Sequence, residues 1–212
     1  MRCRPMFSNL RRVLAFGIAV AIALVLSQPL VHAANSPVTI GGPFILISPD
    51  GATVTEQRYR GKWLLVYFGF TSCPDSCPTA LLEIAAALEK LGPDADKLQP
   101  LFITVDPLRD APAVMGNYAQ SFDSRIVGLT GTPQQIAAVA QEYGVYYEPR
   151  KSGPGAEDYV MDHSTYLYLM DAEGKFVRGL DADTPGERIA EAVRSAMAKA
   201  RENASHQGRP TQ

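Results

Sequence analysis

Two cysteines lie close together where an apolar run gives way to a helical pattern. The stretch FGFTSCPDSCPTALLEIAAALEKLG, from Phe68 to Gly92, holds Cys73 and Cys77 just after the run WLLVYFGF, which begins at Trp63. An unbroken apolar run rich in aromatics is typical of a central strand buried on both faces. Apolar residues then recur at helical spacing until a Gly-Pro pair stops them. This pattern predicts a strand, a turn that carries both thiols, and a helix that begins near Pro78.

The elements predicted around this turn follow the order of an α/β domain. An N-terminal β-hairpin comes first, with short strands at 44–47 and 53–55 on either side of a Pro-Asp-Gly turn. Beyond the cysteine helix the pattern predicts a second buried strand, a helix, a short strand and a helix, at 101–105, 111–122, 126–129 and 133–143. Thr132 is the expected N-cap of the last helix, because Pro133 suits its first position.

The carboxyl-terminal part of the chain predicts a hairpin and a closing helix. The segment YVMDHSTYLYLMDAEGKFVRGL alternates apolar and polar residues and breaks at Ala172-Glu173-Gly174, which indicates a hairpin. The segment TPGERIAEAVRSAMAKARE, from Thr184, has the spacing of an amphipathic helix. This order of elements favours a mixed sheet with helices on both faces. Because a dithiol follows the first buried strand, the expected fold is thioredoxin-like.

The first 33 residues predict an export leader that is separate from the domain. They contain four arginines and no acids, an apolar run at 13–26, and the small-residue ending Val31-His32-Ala33. A cleaved signal peptide is expected, and an uncleaved membrane anchor is the alternative. The expected location is the periplasm, either exported or anchored to the inner membrane. Residues 34–202 then form one domain and 203–212 a polar tail.

The charge of the chain argues against binding of nucleic acid. The whole chain has 20 basic and 22 acidic residues, a formal net charge of −2, and loss of the four leader arginines leaves 16 and 22, or −6. No basic stripe remains for nucleic acid. A mildly acidic surface is usual for an exported soluble domain.

Metal-binding and redox-active side chains are few in the predicted domain. Cys3 lies in the leader, so Cys73 and Cys77 are the remaining thiols, and His163 is the one histidine between leader and tail. At a helix N-terminus both thiols face unpaired amides and the positive end of the helix dipole, which favour the thiolate. A structural disulfide, a redox dithiol and half of a metal site are the three uses considered. The spacing allows a disulfide, but so short a loop gains little stability from one.

The position of His163 favours a metal site over a structural disulfide or a redox dithiol. It lies at the predicted start of the strand HSTYLYLM, and in a thioredoxin-like sheet the loop before that strand lies beside the dithiol. Two thiolates and one imidazole suit copper(I), and with an open position they also hold copper(II). Structural zinc takes four closed ligands, and the domain offers no fourth Cys or His. We therefore expect a copper site, open on one side, at Cys73, Cys77 and His163.

Neighbouring residues are candidates for orienting these ligands. Asp106 and Asp110 follow a buried strand in VDPLRDAP, and Asp162 directly precedes His163. Each suits a role in orienting the histidine or tuning the metal, and the two in VDPLRDAP suit a cap or turn equally well. Met161 shares a strand face with His163, so its thioether is a further candidate contact, although core filling is the simpler role.

Four motifs, taken in order, resemble those of a known family. TSCPDSCPT, TVDPLRDAP, IVGLTGT and DHSTYLYLMD are similar to motifs of the Sco/SenC copper chaperones of cytochrome c oxidase assembly, and the resemblance covers roughly Phe44 to Arg194. It implies a thioredoxin fold, usually membrane-tethered, that binds one copper through Cys73, Cys77 and His163. It also implies a metallochaperone, not a turnover enzyme, that helps metallate the copper A centre of oxidase subunit II. The family does so by delivering copper, by reducing the acceptor cysteines, or both.

A redox role is the alternative to copper carriage. In that hypothesis Cys73 or Cys77 attacks a disulfide of the oxidase subunit or of another exported protein, as in a thiol-disulfide oxidoreductase. Copper(I) needs both thiolates, so an internal disulfide blocks its binding. The protein then requires a thiol reductant as a partner, in addition to a copper donor.

Overall fold

The computed structural model describes residues 39–155 and 158–207, and the leader expected at 1–33 lies outside them. Nine strands lie in this described part: Ile45–Ile47 (β1), Thr53–Thr55 (β2), Trp63–Gly69 (β3), Leu98–Thr104 (β4), Val127–Leu129 (β5), Tyr147–Lys151 (β6), Tyr159–His163 (β7), Tyr166–Met170 (β8) and Phe176–Asp181 (β9). Its four α-helices are Ser76–Leu91 (α1), Pro112–Gln120 (α2), Pro133–Tyr143 (α3) and Gly186–Gln207 (α4). None of these described helices is long and apolar enough to span a membrane.

A five-stranded mixed sheet forms the centre of the domain, in the order β5-β4-β3-β8-β9. The strands β3, β4 and β5 run parallel, β8 runs antiparallel to β3, and β9 runs antiparallel to β8. Every residue of β3 is buried, as its unbroken apolar run predicts. Helices flank the sheet, so the predicted mixed α/β architecture is confirmed.

Short-range sequence signals predict several elements correctly. The strands β1 and β2 form the expected N-terminal hairpin. The helix α3 has its predicted bounds, and Thr132 completes a capping box with Gln135, in which each side chain accepts a hydrogen bond from the other residue's amide. Gly144 ends this helix with a φ of 64°, in the left-handed region that glycine adopts without strain.

The helix that follows the cysteines packs against the last helix of the chain. The Gly186 amide at the start of α4 donates a hydrogen bond to the Glu83 carboxylate of α1 at 2.6 Å. A Cβ at Gly186 would lie only 2.7 Å from the Ala86 Cβ, so the close approach of the two helices requires glycine there. This contact holds α1, which begins at the cysteine turn, against α4.

The carboxyl-terminal half departs from the prediction in three places. The strands β6 and β7 pair in a separate two-stranded sheet, and the sequence does not predict β6. The segment expected as one hairpin therefore holds three strands. His163 ends β7, and the strand that it was expected to start begins at Tyr166. The helix α4 continues to Gln207, into the segment expected to be a polar tail.

Candidate functional site

A sulfur atom caps the amino end of α1. Asp75 lies at the N-cap position, but its side chain makes no capping hydrogen bond. The Cys73 Sγ atom accepts a hydrogen bond from the Cys77 amide at 3.4 Å instead, and it lies 3.4 Å from the Ser76 hydroxyl. The positive end of the helix dipole therefore faces this sulfur, as the position of the cysteines predicts.

The two sulfurs differ in exposure and in acidity. Cys73 is partly exposed, Cys77 is fully buried, and neither is in a disulfide. Hydrogen bonding with Cys77, supported by Ser76, lowers the pKa of Cys73 to about 3. The same contact with Cys73, together with burial, raises the pKa of Cys77 far above that of an ordinary thiol. At neutral pH the pair therefore holds one proton, with Cys73 as the thiolate and Cys77 as the thiol.

Two residues of β3 shape the space around Cys77. The Tyr67 hydroxyl donates a hydrogen bond to Cys77 Sγ at 3.7 Å. A Cβ at Gly69 would lie 2.7 Å from the same sulfur, so glycine leaves the room that the sulfur occupies. Both residues belong to the run WLLVYFGF, and its uniformly apolar pattern does not distinguish them from packing residues. Nothing in the sequence therefore marks Tyr67 and Gly69 as neighbours of the sulfur.

His163 reaches the same space from the end of β7. Its Nε2 atom lies 3.7 Å from Cys77 Sγ, and its Nδ1 atom lies 2.8 Å from the Ser164 carbonyl oxygen. Because a carbonyl oxygen only accepts hydrogen bonds, Nδ1 carries the proton of the neutral ring and Nε2 presents its lone pair to the sulfur. The imidazole lone pair therefore faces the buried sulfur of Cys77.

The separation of Cys77 and His163 suits two ligands of one small metal ion. With zinc bond lengths as the scale for a first-row ion, about 2.3 Å to sulfur and 2.0–2.1 Å to nitrogen, the two donor atoms lie about 3.5–3.8 Å apart at trigonal to tetrahedral angles. The observed separation of 3.7 Å falls in this range. Within residues 39–155 and 158–207, however, no three Cys, His, Asp or Glu side chains form a cluster ready to hold a metal ion.

Asp106, Arg109 and Tyr159 form a brace between the loop after β4 and the strand that carries His163. The Asp106 carboxylate accepts a hydrogen bond from the Tyr159 hydroxyl at 2.9 Å and forms an ion pair with Arg109 Nε. The Arg109 guanidinium lies 3.8 Å from the centroid of the Tyr159 ring and donates to the Tyr159 carbonyl at 3.0 Å. Asp106 is 3% exposed, so the brace neutralises a buried charge. Asp106 thus acts on β7 through Tyr159, whereas the Nδ1 atom of His163 is taken by Ser164.

The other two acidic candidates have partners of their own. Asp110 is fully buried and accepts hydrogen bonds from the Thr71 amide and from the hydroxyls of Thr71 and Thr104. It therefore fixes the loop just before the cysteines. Asp162 pairs with the exposed side chain of Arg150 at 2.9 Å and is itself about half exposed, so its carboxylate is directed to the hairpin surface.

An open cleft of about 380 Å³ leads from solvent to the site. Cys73 and His163 line it, together with the ion pair of Arg150 and Asp162. Met161 also borders the cleft but is mostly buried in the hydrophobic core, which favours the simpler of the two roles considered for it. Because Cys73 is the more exposed of the two sulfurs, a molecule that enters the cleft meets it before Cys77.

These features together define a class of protein. It is a thioredoxin-like domain with a Cys-x-x-x-Cys pair at a helix N-terminus and a histidine that faces the buried sulfur. A family model described as SCO1/SenC matches residues 32–198 of the chain. The chain belongs to the SCO1/SenC family, and the resemblance seen in its four motifs is confirmed.

Relatives agree with this assignment in sequence and in fold. The protein sco1 of Schizosaccharomyces pombe is 41% identical over 158 residues, which cover 74% of this chain and 60% of that relative. The chain thus spans less than two thirds of that relative's length. Bradyrhizobium japonicum ScoI, solved with copper bound, is 45% identical with a TM-score of 0.68, over 74% of this chain and 98% of that one. Arabidopsis thaliana ScoI, also solved with copper bound, is 40% identical with a TM-score of 0.70, over 76% of this chain and 99% of that one.

Proposed function

We propose that this protein is a copper chaperone that binds one copper ion through Cys73, Cys77 and His163 and assists assembly of the copper A centre of cytochrome c oxidase subunit II. Membership of the SCO1/SenC family supports the proposal, as do the two relatives solved with copper bound. The observation that carries it is the 3.7 Å separation between Cys77 Sγ and His163 Nε2, which belong to distant parts of the sequence.

Copper binding would use the acid–base state of the site. Both sulfurs bind copper as thiolates, so copper entry releases the proton of Cys77, whereas Cys73 is already deprotonated. His163 binds through Nε2 with its Nδ1–H held by the Ser164 carbonyl. The soft sulfurs favour copper(I), and the imidazole with an open position also accommodates copper(II). The cleft leaves that position accessible to a ligand of the acceptor.

The proposal includes a compartment and three partners. We infer that the domain works in the periplasm, with residues 1–33 as a cleaved signal peptide or as a tether to the inner membrane. Its partners are oxidase subunit II as the acceptor, a copper donor, and a thiol reductant. The reductant is needed because a disulfide between Cys73 and Cys77 would block copper binding in an oxidising compartment. Nucleic acid is not among the partners, because the chain without its leader is acidic.

Anaerobic titration of the reduced, mature protein with copper(I) tests this function. We expect saturation at one copper per chain, followed by transfer of the ion to the reduced copper A domain of subunit II. A protein that binds no copper(I) under these conditions would contradict the proposal. Transfer to an unrelated dithiol protein, equal to transfer to subunit II, would contradict the assigned acceptor.

A thiol-disulfide oxidoreductase is the second candidate function, and the acidity of Cys73 favours it. The lowered pKa of Cys73 makes it a thiolate at neutral pH, which is the nucleophilic form. Its sulfur would attack a substrate disulfide, form a mixed disulfide and release one substrate thiolate. Cys77 would then lose its proton, attack the Cys73 sulfur and release the second substrate thiolate. The Cys73–Cys77 disulfide so formed must be reduced by two electrons from the thiol reductant.

The variant His163→Ala separates the two functions. We expect copper affinity to fall by more than about 100-fold. Removal of a residue that orients a metal ligand costs about 10–100-fold in affinity, and removal of the ligand itself should cost more. Thiol-disulfide exchange with a model disulfide should change little, because both sulfurs remain. The matched control is His206→Ala, on the exposed carboxyl-terminal turn of α4, which should leave both activities unchanged. Equal loss of both activities in His163→Ala would contradict the separation.

A further inference from the structure

Tyr67 contacts both Cys77 and His163 from inside the core. It lies in the middle of β3 and has no exposed surface. Its hydroxyl donates a hydrogen bond to Cys77 Sγ at 3.7 Å, and its ring lies edge-on to the His163 ring with the centroids 6.3 Å apart. The same ring stacks on Phe102 with the centroids 5.9 Å apart and an angle of 20° between the planes. Packing thus fixes the ring, and the hydroxyl is directed at a sulfur.

A buried hydroxyl at this position is informative, because phenylalanine would fill nearly the same space. Burial of a hydroxyl costs free energy unless it is hydrogen-bonded. The partner of the Tyr67 hydroxyl is the Cys77 sulfur, and a sulfur accepts hydrogen bonds more strongly when it carries negative charge. The strength of the Tyr67 hydrogen bond therefore depends on whether the cysteine pair is reduced or joined in a disulfide.

Those states differ in how well the Cys77 sulfur accepts a hydrogen bond. Both cysteines are free in this structure, and the Tyr67 hydroxyl donates to Cys77 Sγ at 3.7 Å. A thiolate sulfur is a stronger acceptor than a sulfur in a disulfide, which carries no charge. A donor aimed at Cys77 therefore stabilises the reduced pair more than the disulfide. A sulfur bound to copper also carries negative charge, so the hydrogen bond persists in the loaded protein.

We propose that Tyr67 is a positioning residue whose hydrogen bond to Cys77 favours the reduced pair over the disulfide and moderates the copper–sulfur bond. The first effect protects the copper-binding form of the protein in an oxidising compartment. The second follows because hydrogen bonding at a ligand sulfur draws electron density away from the metal. The second effect rests on the proposed copper function, whereas the first belongs to the metal-free protein.

Equilibration of the metal-free protein with glutathione tests the first effect. In this exchange the two thiols of Cys73 and Cys77 form one disulfide bond, and one glutathione disulfide is split into two glutathione thiols. We expect Tyr67→Phe to raise the equilibrium constant for forming the protein disulfide about two- to tenfold, the range for one lost hydrogen bond. Phenylalanine keeps the ring contacts with Phe102 and His163, so the fold is preserved.

Absorption spectra of the copper(II)-loaded protein test the second effect. We expect Tyr67→Phe to move the sulfur-to-copper charge-transfer band to lower energy, because a sulfur that has lost its hydrogen bond donates electrons more readily. Copper should still bind at one ion per chain, because no ligand is removed. An unchanged band would contradict this half of the proposal.

Tyr143→Phe is the matched control for both measurements. Tyr143 is also buried, but its ring packs on Phe68 and Tyr168. The proposal is overturned if Tyr67→Phe has the glutathione equilibrium of the unmodified protein, or if Tyr143→Phe shifts that equilibrium as much. A protein that shows the Tyr67 effect on glutathione exchange but binds no copper would refute the proposed function and still support the redox role of Tyr67.

Discussion

The two halves of the proposed copper site are built on different parts of the fold. The dithiol half, Cys73 and Cys77, lies at the start of α1, directly after the fully buried strand β3. The histidine half, His163, lies on the β6–β7 hairpin, a two-stranded sheet apart from the central one, in which most of β6 is exposed. Core packing holds the first half. The brace of Asp106, Arg109 and Tyr159 holds the second.

This difference separates two determinants of the proposed copper binding. The dithiol half sets the sulfur chemistry, because the helix N-terminus, Tyr67 and Gly69 all act on sulfur atoms. The histidine half sets how well His163 is positioned to bind the metal as its third ligand, because the brace holds the strand β7 that carries His163. Substitutions in the two halves should therefore have different signatures. Changes near β3 should alter the sulfurs, and changes in the brace should alter the hairpin.

The largest loss of stability is expected from Arg109→Leu, which removes the cation of the brace. This change leaves the buried Asp106 carboxylate without its cation, and we expect a loss of about 3 kcal/mol in unfolding free energy. Copper affinity should fall about 10–100-fold, as it does when a group that orients a ligand is removed. Amide hydrogen exchange in β7 should become faster, because the hairpin loses its attachment. Urea unfolding, copper competition titrations and exchange measurements check these outcomes.

Arg150→Leu is the control for the brace, because it removes an exposed ion pair from the same hairpin. The partner of Arg150 is Asp162, and the arginine and aspartate side chains are 62% and 49% exposed. A surface pair of this kind contributes less than about 1 kcal/mol. If Arg109→Leu and Arg150→Leu weaken copper binding equally, the brace does not position His163.

The next largest effect is expected in the dithiol half, from Gly69→Ala. The added methyl group would lie 2.7 Å from Cys77 Sγ and 2.8 Å from the Phe102 ring. Overpacking of a core in this way costs about 1–3 kcal/mol. We expect a lower urea midpoint and weaker copper(I) binding, with amide exchange in β7 unchanged. The control is Gly179→Ala on β9, where nothing lies within 4 Å of the added Cβ; equal effects of the two substitutions would contradict a tight Cys77 pocket.

The smallest expected change is the response of Cys73 to pH. The lowered pKa of Cys73, about 3, means that the thiolate is fully formed at higher pH, so raising the pH further adds no nucleophile. We expect the rate of alkylation of the metal-free mature protein by iodoacetamide to vary less than about twofold between about pH 5 and pH 8. An ordinary thiol, with a pKa of about 8.5, gains about tenfold per unit over that range. A tenfold rise per unit at Cys73, read by mass spectrometry, would show that the helix and Cys77 do not stabilise its thiolate.

The sequence predicts the dithiol half better than the histidine half, for a physical reason. The start of α1 is encoded locally, by an apolar run, two cysteines and a helical repeat, and Thr132 and Pro133 mark α3 in the same way. The strand β6, with the sequence YEPRK, is polar and contains a proline, and it forms only because β7 pairs with it. The contacts of Arg109 with Tyr159 join residues far apart in the chain, which no local pattern reveals.

X-ray absorption of the copper(I)-loaded protein tests the convergence of the two halves most directly. We expect two sulfur neighbours and one nitrogen neighbour around copper in the unmodified protein. In His163→Ala the nitrogen neighbour should be lost and both sulfurs kept. A copper environment that is the same in the two proteins would contradict the account, because the hairpin would then contribute nothing to the metal.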